Sequence, residues 1–193
     1  PYLLPSAAGT AVFYAAPFLV MLVYALSAGS AAEVLSGHAL AAGARSTAVF
    51  LACGIGASLL LGLCIALALP PRTAAMKLTL LVPLLFPSAA VAVLWRALRL
   101  RESLFLLILL LVWRVTGLNA VLLTAAHDRI PPEVVDSGRL DGAGGLRLLL
   151  RVKWPYLSGS VFFAALIDLF FAWRTFRGVY LLTGDYPHEG LYL

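Results

Sequence analysis

Four side chains that can charge, bond or orient a solute stand inside otherwise apolar text. Arg114, Thr116 and Asn119 interrupt "SLFLLILLLVWRVTGLNAVLLTAA", and Asp168 interrupts "YLSGSVFFAALIDLFFAWRTF". A guanidinium, a hydroxyl, an amide and a carboxylate recognise polar groups by hydrogen bonding, and polar residues within apolar spans mark solute pathways. The plainer alternative is that Arg114 and Asp168 neutralise each other across a bundle. Nothing here assembles a catalytic set. His38, His127 and His188 are scattered singly and do not form a metal site. No "GxxxxGK[ST]", "GxSxG" or "HExxH" occurs. "DGAGG", from Asp141 to Gly145, is glycine-rich but has neither the lysine nor the preceding strand of a phosphate loop. The sequence therefore reads as non-enzymatic, with no catalytic residue, no metal and no cofactor of its own.

The elements that must hold these groups are membrane helices. Of 193 residues, 62% are hydrophobic and only 12% charged. Mean hydropathy is +0.98. An ordinary soluble domain needs more charge than that to cover its surface. The net charge of +5 lies beside apolar runs, where basic residues orient helices and meet headgroups, so nucleic acid is not expected as a partner. Five runs approach the roughly 20 residues a spanning helix needs: 11–28, 47–69, 78–98, 103–126 and 156–176. None alternates as a β-barrel strand would. The expected fold is an all-α integral membrane bundle of about five helices, a single domain over 1–193. Gly54, Gly56 and Gly62 in the second run allow close helix approach. Pro83 and Pro87 should bend the third. Cys53 and Cys64 share one helix and read as buried, apolar-like thiols. Charge bias sets orientation poorly, because the arginines of "RALRLRES" offset those of 127–155. The chain opens at Pro1 without methionine, so a start further upstream is expected, as is a further span beyond Leu193.

Between the fourth and fifth runs lies a polar interruption, 127–155. Ile130 precedes proline and should be extended. Pro131 and Pro132 suit a helix start, and Glu133 and Asp136 fall where the helix dipole favours acids. Gly138 should weaken this helix, and "DGAGG" should end it. A second short helix should begin near Gly144, with Leu146, Leu149 and Leu150 on one face and Arg147 and Arg151 on another, lying at the membrane surface. Trp154 and Tyr156 bracket Pro155 at its boundary. Such a segment is either a docking site or a plain connector.

The same stretch resembles the cytoplasmic loop of binding-protein-dependent ABC importer permeases. That pattern has an EAA-type triplet, three residues, glycine, nine residues, isoleucine, two residues and proline. Asp136-Ser137-Gly138 takes the triplet, Gly142 the glycine, Val152 the isoleucine and Pro155 the proline. "IPPE" and "LDGA" are similar to the sugar-type branch. "PYLLPSAAGTAVFYAAPFL" resembles the family's first span, and "FRGVYLLTGDYP" the segment after its penultimate one. The departures are Asp136 for glutamate, Ser137 and Gly138 for two alanines, and Trp154 for leucine. The family's longer stretch between spans three and four, and its last span, have no counterpart here.

The resemblance implies a six-span core lacking its last span, with 127–155 as a two-helix coupling loop. It implies a multi-pass subunit of a bacterial-type inner membrane. Its partners would be cytoplasmic ATP-binding subunits that carry the ATP and magnesium, a second and different permease subunit, and an extracytoplasmic binding protein. Glu133, Asp136, Ser137, Gly138, Arg139, Asp141, Gly142 and Ala143 would meet the ATPase. Trp113, Arg114, Thr116, Asn119, Asp168, Phe171 and Trp173 would line the pathway, with the aromatics stacking on a sugar. The implied solute is a sugar or related polyol. A peptide or phosphate importer is the alternative within transport. A lipid-modifying membrane enzyme, or a plain anchor, stands outside it.

Overall fold

A computed structural model describes residues 4–27, 38–98 and 103–175. Among them the chain is helical, without strands, and it divides into two compact units, Pro1–Gly43 and Ala44–Leu193. "RALRLRES" falls partly, and "FRGVYLLTGDYP" almost wholly, outside the described residues.

In the first unit one continuous helix runs as α1 (Leu4–Thr10), a π-helical stretch π1 (Ala11–Ala15) and α2 (Ala16–Ser27). It starts earlier than the apolar run at Ala11 suggests. Its side chains are exposed almost throughout, as suits a helix presented to lipid.

The second unit is built from α3 (His38–Ala68, its part from Ala44), α4 (Ala74–Leu85), α5 (Ser88–Ala97), α6 (Leu104–His127), α7 (Pro132–Leu140), α8 (Gly145–Arg147), π2 (Leu148–Lys153) and α9 (Trp154–Trp173). Two starts are capped by side chains. Thr73 Oγ1 accepts from Met76 N at 3.2 Å, and Ser103 Oγ accepts from Leu106 N at 3.3 Å.

Among the described residues, four helical stretches are long and apolar enough to cross a membrane: Leu4–Tyr24, Leu40–Ala68, Leu104–His127 and Gly145–Trp173. The remaining run, 78–98, is carried by two shorter helices, α4 and α5. Phe86, extended at φ −72° and ψ 129°, breaks them just before Pro87. Pro83 sits inside α4, which ends two residues later.

Pro17 and Pro155 behave differently, because each follows a π stretch. The residue before each proline donates five positions back, Ala16 to Ala11 and Trp154 to Leu149. A proline ring clashes with the carbonyl four residues earlier and has no N–H to give it. The wider π turn makes room for the ring. The helix therefore runs through Pro155 without a break. The separate surface helix expected from Gly144 is instead the start of one helix running from Gly145 through to Trp173.

The core of this unit follows rows of every fourth residue. On α3 these are Phe50, Gly54, Ser58, Gly62 and Ala66, and on α6 Leu107, Leu111, Val115, Asn119 and Leu123. On α9 they are Ala164, Asp168 and Ala172. Such rows are the ridges that interlock when helices cross. Phe50, Leu107, Leu111, Val115 and Ala172 meet in one apolar cluster. Small residues set the crossing distances. A Cβ at Gly62 would come 2.6 Å from Asn119 Cβ and 3.2 Å from Ala120 N. Gly56, off the row, has nothing within 4 Å. Cys53 and Cys64 lie off the same row and are exposed, not buried as expected.

Candidate functional site

The loop is pinned at its base and shaped at its tip. At the base, Lys153 Nζ lies 3.0 Å from His127 Nε2, joining the end of α6 to π2. Ile130 is buried, and Pro131 at ψ 131° turns the chain into α7. Pro132 occupies the first helical turn with Glu133 beside it.

α7 runs on through Gly138, which is there for its packing. Gly138 is buried, and a Cβ there would come 2.8 Å from Val152 Cγ2 and 3.2 Å from Leu148 Cδ1. The third residue of the triplet and Val152 are thus packing partners, and the spacing between them is that of a helix folded back onto π2. The end of α7 is a Schellman motif. Ala143 N donates to Gly138 O and Gly142 N to Arg139 O, both at 3.0 Å, with Gly142 left-handed at φ +77°.

With Gly138 turned inward, Glu133, Asp136, Ser137, Arg139 and Asp141 are exposed. Asp136 pairs with Arg139 at 3.1 Å, but both side chains are more than 60% exposed, so the pair adds little stability. Ala143 is half-buried and Gly142 exposed at the tip. Leu146 and Leu150 are exposed, whereas Leu148, not counted on that face, is buried.

Within the spans, three helices bring polar side chains to one buried point. Asp168 Oδ2 accepts from Ser58 Oγ at 2.5 Å and from Asn119 Nδ2 at 2.8 Å. All three residues are fully buried. Asp168 Oδ1 and Asn119 Oδ1 are buried without a hydrogen-bond partner. Oxygens left this way in an apolar interior are costly and mark a place where structure yields to function.

The other pathway candidates are not gathered there. Thr116 Oγ1 donates to Val112 O in its own helix at 2.6 Å. Trp113 stacks on Phe86 at 6.5 Å between centroids, and Trp173 is 81% exposed. Arg114 makes no ion pair with Asp168. Its guanidinium lies 5.7 Å above the Phe171 ring. The cross-bundle neutralisation does not occur, because Asp168 is turned into the α3–α6 crossing.

Ser58 is the member that sequence reasoning missed. Its signal was the small-residue row, since it sits midway between Gly54 and Gly62. No group of three or more metal-ligating side chains occurs among the described residues.

Among the described residues, four long apolar helices and the structured polar loop 127–155 define an all-α, multi-pass membrane protein. No protein-family model matches the chain. Among curated proteins it is similar to permease subunits of uptake systems. It is 34% identical over 84 residues to the xylose/arabinose import permease protein XacH of Haloferax volcanii, covering 43% of this chain and 26% of that protein. It is 29% identical over 80 residues to the osmoprotective compounds uptake permease protein GgtC of Synechocystis sp., covering 42% and 29%. It is 31% identical over 87 residues to the sn-glycerol-3-phosphate transport system permease protein UgpA of Yersinia pseudotuberculosis, covering 45% and 30%. The matched stretches thus span under a third of each relative's length. Each of these relatives is, by name, a permease protein of an uptake, import or transport system, the kind of protein the loop resembles.

Proposed function

We propose that the chain is a membrane subunit of an ATP-driven importer for a sugar or related polyol, housed in a bacterial-type inner membrane. The observation that carries this is the loop. A helix is clamped onto the base of a span through Gly138 and Val152, with an acidic, polar face left exposed. A connector needs no such clamp. The exposed face of α7 seats in a cytoplasmic ATPase subunit, which binds the ATP and magnesium and performs the hydrolysis. Glu133, Asp136, Ser137, Arg139 and Asp141 make the contact, while Gly138, Gly142 and Ala143 hold its shape. A second permease subunit completes the pathway, and an extracytoplasmic binding protein delivers the solute. Closure of the ATPase pair drives alternating access by binding the two states unequally. Ser58, Asn119 and Asp168 form the polar point within the pathway.

Ser137→Arg tests the docking. Ser137 is exposed, so the fold should be unchanged, but a bulky cation is placed in the contact. Co-purification of the ATPase should fall about tenfold or more, the loss of roughly 1.4 kcal/mol of interface energy. Undiminished co-purification and uptake would sink the coupling role.

A further inference from the structure

We propose that Arg114 and Arg174 form a binding site for an oxyanion such as a phosphate group. The proposal deepens the importer reading and rests on it for the route by which a solute arrives. The two guanidiniums are held by adjacent aromatic rings. Arg114 lies 5.7 Å over Phe171, and Arg174 lies 5.5 Å over Phe170. The rings meet edge to face at 6.1 Å. The two guanidiniums thus lie against one pair of touching rings.

Neither arginine pairs with a carboxylate among the described residues, whose ion pairs are His127–Asp128 and Arg139–Asp136. Asp168, the acid nearest in sequence on α9, is bonded to Ser58 and Asn119. Arg114 is half-buried midway along a spanning helix, and its Nε is buried without a hydrogen-bond partner.

A cation inside a span is costly. Cation–π contact offsets only a part, about 0.5–2 kcal/mol. Arg174 alone is explained by its place at the C-cap of α9, where a cation meets the helix dipole. That account leaves Arg114 unexplained. An oxyanion between the two accounts for both. It supplies a counter-charge and gives Arg114 Nε an acceptor, and guanidiniums bind phosphate through paired N–H donors. The exposed Arg174 opens the site, and the Phe170–Phe171 edge holds both planes. The solute this site takes is a polyol bearing a phosphate or similar oxyanion. An anionic lipid headgroup has the same chemistry.

The test uses the full-length permease with its partner subunits in nanodiscs of neutral phosphatidylcholine. Binding of inorganic phosphate, glycerol phosphate and glycerol is measured by calorimetry. Phosphate and glycerol phosphate should bind and glycerol should not. Arg114→Gln and Arg174→Gln should each weaken phosphate at least about tenfold, and Arg114→Lys should retain part of it. If Arg114→Gln fails to fold, Arg174→Gln, lying beyond the last turn of α9, decides the matter. Nanodiscs containing phosphatidylglycerol separate the two sources. Phosphate displaced by that lipid in wild type, with arginine-dependent retention of the lipid on delipidation, assigns the site to a headgroup. Undisplaced phosphate assigns it to the solute. No phosphate binding in either bilayer, or binding indifferent to both Gln variants, overturns the proposal. The importer reading fails separately, by undiminished ATPase co-purification and uptake in Ser137→Arg.

Discussion

Gly117→Ala should be among the most damaging single-methyl changes in the spans. Gly117 faces the backbone of α4. An added Cβ would overlap the Leu80 carbonyl oxygen outright and come within 2.7 Å of its carbon. Backbone cannot rotate aside as the tip of a leucine can, so α4 and α6 must separate. Overpacking of this kind costs about 1–3 kcal/mol, and sometimes more. The rigid partner places Gly117 at the upper end. The control is Gly56→Ala, where the new methyl meets nothing within 4 Å. That change should be neutral or slightly stabilising, since alanine favours helix over glycine. Thermal unfolding of the purified protein in detergent reads both. Gly117→Ala should lower the midpoint by several degrees, and equal midpoints for the two variants would show that the crossing is looser than described.

Asp168→Asn should separate stability from transport. The buried point holds two acceptors with no donor between them, Asp168 Oδ1 and Asn119 Oδ1. An asparagine at 168 keeps one oxygen for Ser58 Oγ and Asn119 Nδ2. It also removes the charge and one of the two unpaired acceptors, putting an N–H in place of the orphaned oxygen. Interhelical hydrogen bonds in membranes average only about 0.6 kcal/mol, so a change in bonding alone is small. Relief of an unsatisfied buried acceptor is larger, about 1–3 kcal/mol. The expected result is a more stable protein with little or no uptake, the trade expected where a site is kept unsatisfied for function. Thermal unfolding and solute uptake, measured on the same preparation, check it. A destabilised Asp168→Asn, or one that transports normally, would show that the carboxylate serves packing alone.

Much of the architecture was legible because its causes are local. Apolar runs gave the helices, and Pro131, Pro132, Glu133 and "DGAGG" gave the start and stop of α7. What stayed hidden depended on who meets whom. Pro83, Pro87 and Pro155 are alike in sequence, yet one sits in a last turn, one ends a helix and one is absorbed after a π turn. Of the three, Pro155 is the one that follows a π turn, where the donor before it reaches five positions back. Ser58 looked like one small residue among many until α3 was set against α6 and α9. Arg114 and Asp168 suggested an ion pair by charge alone, but they project toward different neighbours. Gly138 looked like a helix breaker because its partner, Val152, lies fourteen residues away.

The unbroken run from Gly145 to Trp173 has a mechanical consequence. At 1.5 Å per residue, 29 residues make a rod of about 40 Å. One end lies under the α7 clamp and the other beside Arg174. Ser58 and Asn119 grip it part-way along at Asp168. The helix continues through Pro155 without a break. On the importer reading proposed above, a push on its loop end would therefore reach the gripped point and swing the far end the opposite way, as an oar turns in its rowlock.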